Sequence, residues 1–298
     1  MISIIICTRR TDGNVELRTN IQATVGIEHE VIIIDNSKNT ESIFSAYNKG
    51  VHLSKYPYLL FMHDDVSYKT TGWGSRLVAH FKDPKVGAVG VAGTHYMSYT
   101  AGGWWSSGIG HLYLLQSEKA DAPPEQLNYL PPDMSAGNDV VVLDGVWFSI
   151  RKELFNQISF DQQTFNGFHF YDVDITLQVF QRGYKLLCIK DILIHHLSMG
   201  VLNKTWVENA YLFHQKWKHV LPISLVDYSV SDRSSMEYRV LNELLSTEKE
   251  NKTAKPSALY YKAFKNLLSY KAGLRYFKTP VWAMQFYFKF LSSKLRGR

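Results

Sequence analysis

Three short apolar runs near the start of the chain constrain its fold more than any other feature. Residues 3–7 (SIIIC), 31–34 (VIII) and 58–62 (YLLFM) are rich in β-branched and aromatic side chains. Each is closed by polar residues: Thr8-Arg9-Arg10, Asp35-Asn36-Ser37 and His63-Asp64-Asp65. Runs this short and this continuously apolar suit strands covered on both faces. Between the first two, residues 14–26 have helical length and end at Gly26, and a fourth run at 86–91 follows Asp83-Pro84. Strand, crossover, strand, crossover, strand predicts a mostly parallel sheet flanked by helices. Ligands of such sheets sit outside the carboxyl ends of the strands. The three polar closures are therefore expected to share one rim.

Further along, residues 96–132 are rich in Gly, Ser, Trp and Tyr and read as loops or short strands over the sheet edge. A strand over 140–143 precedes Asp144-Gly145, and 151–157 suits a short helix. Residues 172–183 read as a helix, with Val173, Leu177 and Phe180 spaced by 4 and 3, Arg182 in the last turn and Gly183 as the stop. Runs at 186–189 and 192–194 lead as strands into His195-His196. The polar stretch 224–255 reads as a boundary, giving a domain over 1–225 and a C-terminal helical extension over 226–298. Cys7 and Cys188 lie far apart in apolar runs, which predicts buried thiols and a reducing compartment. The first apolar run is too short for a signal peptide, and no stretch reaches 18 uncharged apolar residues.

Charge divides the chain. Ten of the 33 Lys and Arg, and none of the 27 Asp and Glu, fall within 255–298, so residues 1–254 carry a net −4. The tail also holds many aromatics. Gln285, Lys289, Ser292 and Arg296 form one polar stripe at helical spacing, beside Met284, Phe286, Tyr287 and Phe288. A cationic, aromatic helix suits an anionic membrane interface. The alternative is packing on the body or on a second subunit, as in a homodimer. The acidic body argues against nucleic acid.

His63-Asp64-Asp65 is the sharpest chemical feature. An isolated Asp-Asp is ordinarily a turn or cap, but two carboxylates at a strand end repel unless a cation or donors face them. Oxygen ligands suit Mg²⁺ or Mn²⁺, which bridge to substrate phosphates. A second carboxylate pair, Asp172 and Asp174, stands at a helix start. There a carboxylate caps free N–H groups or, facing a substrate, serves as a general base. Asp174 points to a different helix face. Of His195 and His196, strand alternation lets only one face the site, where imidazole would suit Mn²⁺. The loop after the first strand has no Gly-rich phosphate fingerprint, and neither a P-loop nor zinc-ligand spacing occurs.

The ordered segments ICTRR, IIIDNS, AYNKG, FMHDDV, DGVWFSIRKELF, FHFYDVDITLQVFQRGYK and IHHLSMG resemble the family-2-like glycosyltransferases of GT-A fold. The resemblance covers roughly residues 1–215 and is nearest the bacterial group whose metal motif reads His-x-Asp-Val. It implies an α/β GT-A nucleotide-diphospho-sugar transferase and an inverting transfer of a hexose-like sugar. The donor would be a nucleoside-diphosphate sugar, foremost a UDP-sugar, and the acceptor a glycan or lipid-linked molecule of surface polysaccharide synthesis. Thr8, Arg10, Asp35, Asn36 and Ser37 match the nucleotide-base pocket, and Asn48 the Ala-Arg-Asn-x-Gly segment, with Tyr47 in place of Arg. Asp65 matches the metal-binding Asp and Asp64 its ribose- or metal-facing neighbour, with His63 where many relatives have Asp. Asp144 and Gly145 match the acceptor-side loop. Asp172 matches the catalytic Asp of a Glu-Asp motif, with Tyr171 in place of Glu. His196 matches the third ligand for Mn²⁺ or Mg²⁺, with His195 the alternative. The implied setting is cytoplasmic, with the tail placing the protein at the inner face of the membrane. Two other classes compete: a nucleotidyltransferase, which would want a Gly-rich first loop, and a non-catalytic carbohydrate-binding relative.

Overall fold

The computed structural model describes residues 1–251 apart from 120, 121, 132 and 136. The first half alternates as expected: β1 (Ile2–Thr8), α1 (Val15–Thr24), β2 (His29–Asp35), α2 (Ile43–Leu53), β3 (Tyr58–Met62), β4 (Val66–Tyr68), α3 (Trp73–His80) and β5 (Val86–Gly90). Short strands follow: β6 (Ala92–Thr94), β7 (Tyr96–Met97), β8 (His111–Gln116), β9 (Glu125–Tyr129), β10 (Asp139–Val140), β11 (Val142–Leu143) and β12 (Trp147–Arg151). The chain then runs through a 3₁₀ turn (Lys152–Asn156), α4 (Tyr171–Gln181), β13 (Lys185–Cys188), β14 (Ile194–His196), α5 (Lys204–Trp217), β15 (Ile223–Ser224) and α6 (Val230–Glu250).

A seven-stranded sheet in the order β10-β13-β5-β12-β3-β1-β2 forms the centre. β1 pairs in parallel with β2 and β3, and β13 with β5, while β12 runs against both its neighbours. Alternation along β1 shows why the runs are continuously apolar. Ile2, Ile4 and Ile6 pack with Leu17, Ile21 and Trp73 on one face, and Ile5 packs with Phe44 and Tyr47 on the other. Each such fully buried side chain contributes about 1.5–3 kcal/mol. The register sets Thr8 opposite Asp35 and Ile6 opposite Met62, so the polar closures of the three strands do meet at one rim.

A second sheet, β11-β6-β8-β14-β4, lies beside that rim. It explains one difference from the sequence expectation. The strand over 140–143 is two short pieces, β10 in the large sheet and β11 in the small one, so the chain crosses between sheets immediately before Asp144. β14 pairs with β4 and β8, bringing His196 opposite Val66 and Gln116.

The polar stretch read as a boundary is largely a 21-residue helix, α6, whose Met236, Val240, Leu241 and Leu244 are buried. This described part of the 226–298 extension is docked on the body and does not stand apart from it. The cationic helix expected over 280–298 lies outside the described residues. Cys7 and Cys188 are free thiols, the first partly and the second fully buried. No helix among the described residues is long and apolar enough to cross a membrane.

Candidate active site

His63, Asp65 and His196 converge at the rim, with one ligand atom of each within 4.8 Å of the others. Their geometry fixes the proton positions. His196 Nδ1 faces the Gln116 side-chain carbonyl oxygen at 3.0 Å, so Nδ1 carries the proton and Nε2 presents a lone pair. His63 Nε2 lies 3.1 Å from the Tyr171 hydroxyl, which is also 3.1 Å from the carbonyl oxygen of Gly145. The hydroxyl donates to that carbonyl and accepts from His63 Nε2, which leaves a lone pair on His63 Nδ1. The two lone pairs face each other across 3.2 Å, with Asp65 Oδ1 at 3.9 Å from His63 Nδ1 and 3.4 Å from His196 Nε2. Opposed lone pairs beside a carboxylate call for a cation between them. Two imidazoles and a carboxylate, each oriented by an outer hydrogen bond, fit a divalent transition metal. Ser198 Oγ donates to Asp65 Oδ2 at 2.5 Å and so orients the carboxylate, leaving Oδ1 turned toward the two imidazoles.

His63, set aside at the sequence level as a substitute for Asp, is thus the third member of this group. His195 turns the other way, its Nε2 lying 2.8 Å from Ser117 Oγ. Tyr47 and Tyr171, the two positions where aromatic residues replace the expected Arg and Glu, pack edge to face with ring centroids 5.4 Å apart. Opposite charges at those two positions would face one another. Here an aromatic pair fills the space, and one of its hydroxyls orients His63.

Tyr171 also leads to the second half of the site. α4 begins after Phe170, which has a left-handed φ of 69° and provides no side-chain cap. Asp172, expected as a capping or catalytic carboxylate, accepts the Gly145 backbone N–H at 2.7 Å. A side chain at Gly145 has no room: a Cβ would lie 2.2 Å from the Tyr171 hydroxyl and 3.1 Å from Asp172 Oδ2. Burial, with the neighbouring negative charge of Asp144, pushes the Asp172 carboxyl up to about 7. Asp144 in turn accepts from Val146 N and from the Trp104 indole, both at 2.8 Å.

Asp174 has the opposite character. It is fully buried and holds Lys216 Nζ at 2.9 Å, Trp217 Nε1 at 2.8 Å and Gln178 Nε2 at 2.9 Å. It joins α4 to α5 and faces away from the rim.

The expected nucleotide residues divide. Thr8 donates to Asp64 Oδ2 at 2.5 Å and accepts from Arg10 N at 3.0 Å, and Asn14 donates to the Asp64 carbonyl. Asp35 accepts from Ser37 N at 2.8 Å in a tight turn whose carboxylate is exposed, and Asn36 braces the Glu41 backbone. These residues line the ends of β1 and β2. Asn48 is placed otherwise. Its amide donates to the Phe160 carbonyl and accepts from Phe160 N, so this side chain clamps α2 to the loop before α4.

A family model described as a glycosyltransferase-like family matches residues 3–219. The chain belongs to that family, and the GT-A fold implied by its sequence is the fold observed. Among solved structures it is similar to the mannosyltransferase PcManGT from Pyrobaculum calidifontis in complex with GDP-Man and Mn²⁺, at 9% identity and TM-score 0.46, covering 90% of this chain and 79% of that one. It is also similar to GalNAc-T7 with UDP, GalNAc and Mn²⁺, at 12% identity and TM-score 0.49, covering 91% of this chain and 58% of that one. No curated protein sequence matches the chain.

Proposed function

We propose that this protein is an inverting, metal-dependent glycosyltransferase that moves a sugar from a nucleoside-diphosphate sugar, most simply a UDP-sugar, to an acceptor hydroxyl. The observation that carries this reading is the joining of two devices through one residue. Tyr171 bonds both His63 of the cation-holding group and Gly145, whose N–H meets the carboxylate of Asp172.

Asp172 takes the proton of the acceptor hydroxyl as its oxygen bonds to the anomeric carbon and the bond from that carbon to the diphosphate breaks. With a carboxyl raised to about 7, it is a stronger base than an ordinary carboxylate and still substantially ionised at neutral pH. No covalent enzyme intermediate is required. His63, Asp65 and His196 would hold Mn²⁺ or Mg²⁺, which supplies positive charge against the leaving diphosphate. Two imidazole donors favour Mn²⁺ over Mg²⁺. Thr8, Arg10, Asp35, Asn36, Ser37 and Asp64 form the nucleoside side, and Asp144 with Gly145 the acceptor side.

The acceptor we favour is a glycan or lipid-linked glycan of surface polysaccharide synthesis. The cationic segment 255–298 would bring the enzyme to the inner face of an anionic membrane. Incubation with a panel of nucleotide sugars, with and without Mn²⁺, tests the reading. Release of nucleoside diphosphate from one donor is expected. Release of inorganic pyrophosphate from a nucleoside triphosphate and a sugar phosphate would indicate a nucleotidyltransferase. Binding of sugars with no turnover of any donor would indicate a non-catalytic relative.

A further inference from the structure

The family match ends at residue 219, yet α6 beyond it is bonded to the loop that reaches Asp144, the carboxylate next to the candidate base. Glu237 is buried and gathers four donors from that loop: Tyr96 OH at 2.7 Å, Ser98 Oγ at 2.7 Å, Tyr99 N at 2.9 Å and Thr100 N at 2.9 Å. Two turns on, Glu243 accepts from Trp105 Nε1 at 3.1 Å and Ser106 Oγ at 2.7 Å. Between these anchors the backbone touches the helix directly, because a Cβ on Gly102 would lie 2.4 Å from Val240 Cγ1. A buried carboxylate is tolerated only with such a set of donors, so these contacts hold one loop conformation. At the centre of the clamped loop stands Trp104, 7% exposed, whose indole N–H reaches Asp144.

We propose that α6 is a positioning element of the catalytic site: through Glu237 and Glu243 it holds the Trp104 loop so that the indole N–H fixes Asp144 beside Asp172. Asp144 immediately precedes Gly145, so the same contact places the Gly145 N–H that meets Asp172. Trp104 thus governs both the direction and the neutralisation of the negative charge next to the base. This rests on the reading of Asp172 as the base.

Trp104→Phe keeps an aromatic ring but removes the N–H together with the five-membered half of the indole, and Glu243→Ala leaves Trp104 intact and removes one anchor at a position where Ala favours the helix. Both variants, with Asp172→Asn as reference, are assayed for kcat, donor KM and the pH profile of kcat, with thermal unfolding as the check on folding. Losing a donor that stabilises the charged carboxylates should move the acid limb of kcat to higher pH in Trp104→Phe. A fall in kcat of about 10- to 100-fold is expected in both variants, with donor KM near wild type. A wild-type kcat in either variant, or a loss of activity in Trp104→Phe with the acid limb unmoved, would overturn the proposal. If Asp172→Asn itself retained full activity, the reading of the base would fail instead, and the two failures are told apart by that reference.

Discussion

Replacing Asp172 with Asn separates chemistry from stability with opposite signs. Asn is nearly isosteric, and its side-chain oxygen can still accept the Gly145 N–H that Asp172 Oδ2 accepts at 2.7 Å. It cannot take a proton, so transfer should fall by roughly 10²–10⁴. Stability should rise. The folded carboxyl is raised from its ordinary 3.8 to about 7 by burial and by Asp144. The folded state therefore binds more protons than the unfolded one across that window, and the wild type loses stability as pH rises through it. Below about pH 4 the group is protonated in both states and imposes nothing. Above about pH 7 the penalty is complete, at most about 4 kcal/mol for three units at 1.36 kcal/mol each. Asp172 keeps some contact with solvent, so about 2–4 kcal/mol is the expected range. Urea unfolding of both proteins at pH 5, 6, 7 and 8 measures it. The advantage of Asp172→Asn should grow up to pH 7 and then level off. An advantage independent of pH, or a variant less stable at pH 8, would refute the burial argument. A collapse of donor affinity would make Asp172 a binding residue.

Three further outcomes follow, two from the same geometry and one from the charge of residues 255–298. Asp65→Ala should abolish Mn²⁺ binding, read by calorimetry, together with metal-stimulated donor turnover, and turnover indifferent to EDTA would remove the metal from the account. Asp174→Asn should lower stability by about 1–3 kcal/mol in chemical unfolding, because Lys216 and Trp217 lose a buried charged partner, while kcat changes much less than in Asp172→Asn; the reverse order would mean that the two carboxylates have been assigned the wrong way round. A chain ending at Glu250 should still bind nucleotide, whereas only the full chain should bind anionic vesicles, and less so at high salt; if the full chain ignores vesicles but the truncation converts a dimer to a monomer, the tail is an assembly element.

The rim was legible because its signals are local. Each strand ends at its own polar closure, and the parallel sheet collects those ends without further information. α4 was legible from its spacing and from Gly183. The place of His63 in the candidate metal group had a local signal, the His-x-Asp-Val spacing, although Asp65 and His196 alone were the expected ligands. What sets the proton of His63 is Tyr171, 108 residues away, and what sets that of His196 is Gln116, across the β8–β14 pairing. No local pattern encodes such pairs. A helical extension was legible after residue 226, but the docking of α6 was not, because its buried carboxylates make sense only against the loop they hold. Asn48 matched a nucleotide motif in sequence, yet the fold directs its amide to Phe160. A motif fixes the position of a backbone, and the side chain still takes the partner nearest to it.

The most direct test of the central claim is the configuration of the first product formed. With a reacting nucleotide sugar, Mn²⁺ and water standing in for the acceptor hydroxyl, the free sugar released is followed by proton NMR at the anomeric position before it mutarotates. A single carboxylate base and no covalent intermediate predict an anomer opposite to that of the donor. Retention of the donor's configuration would contradict the assignment of Asp172 as the base in a one-step displacement.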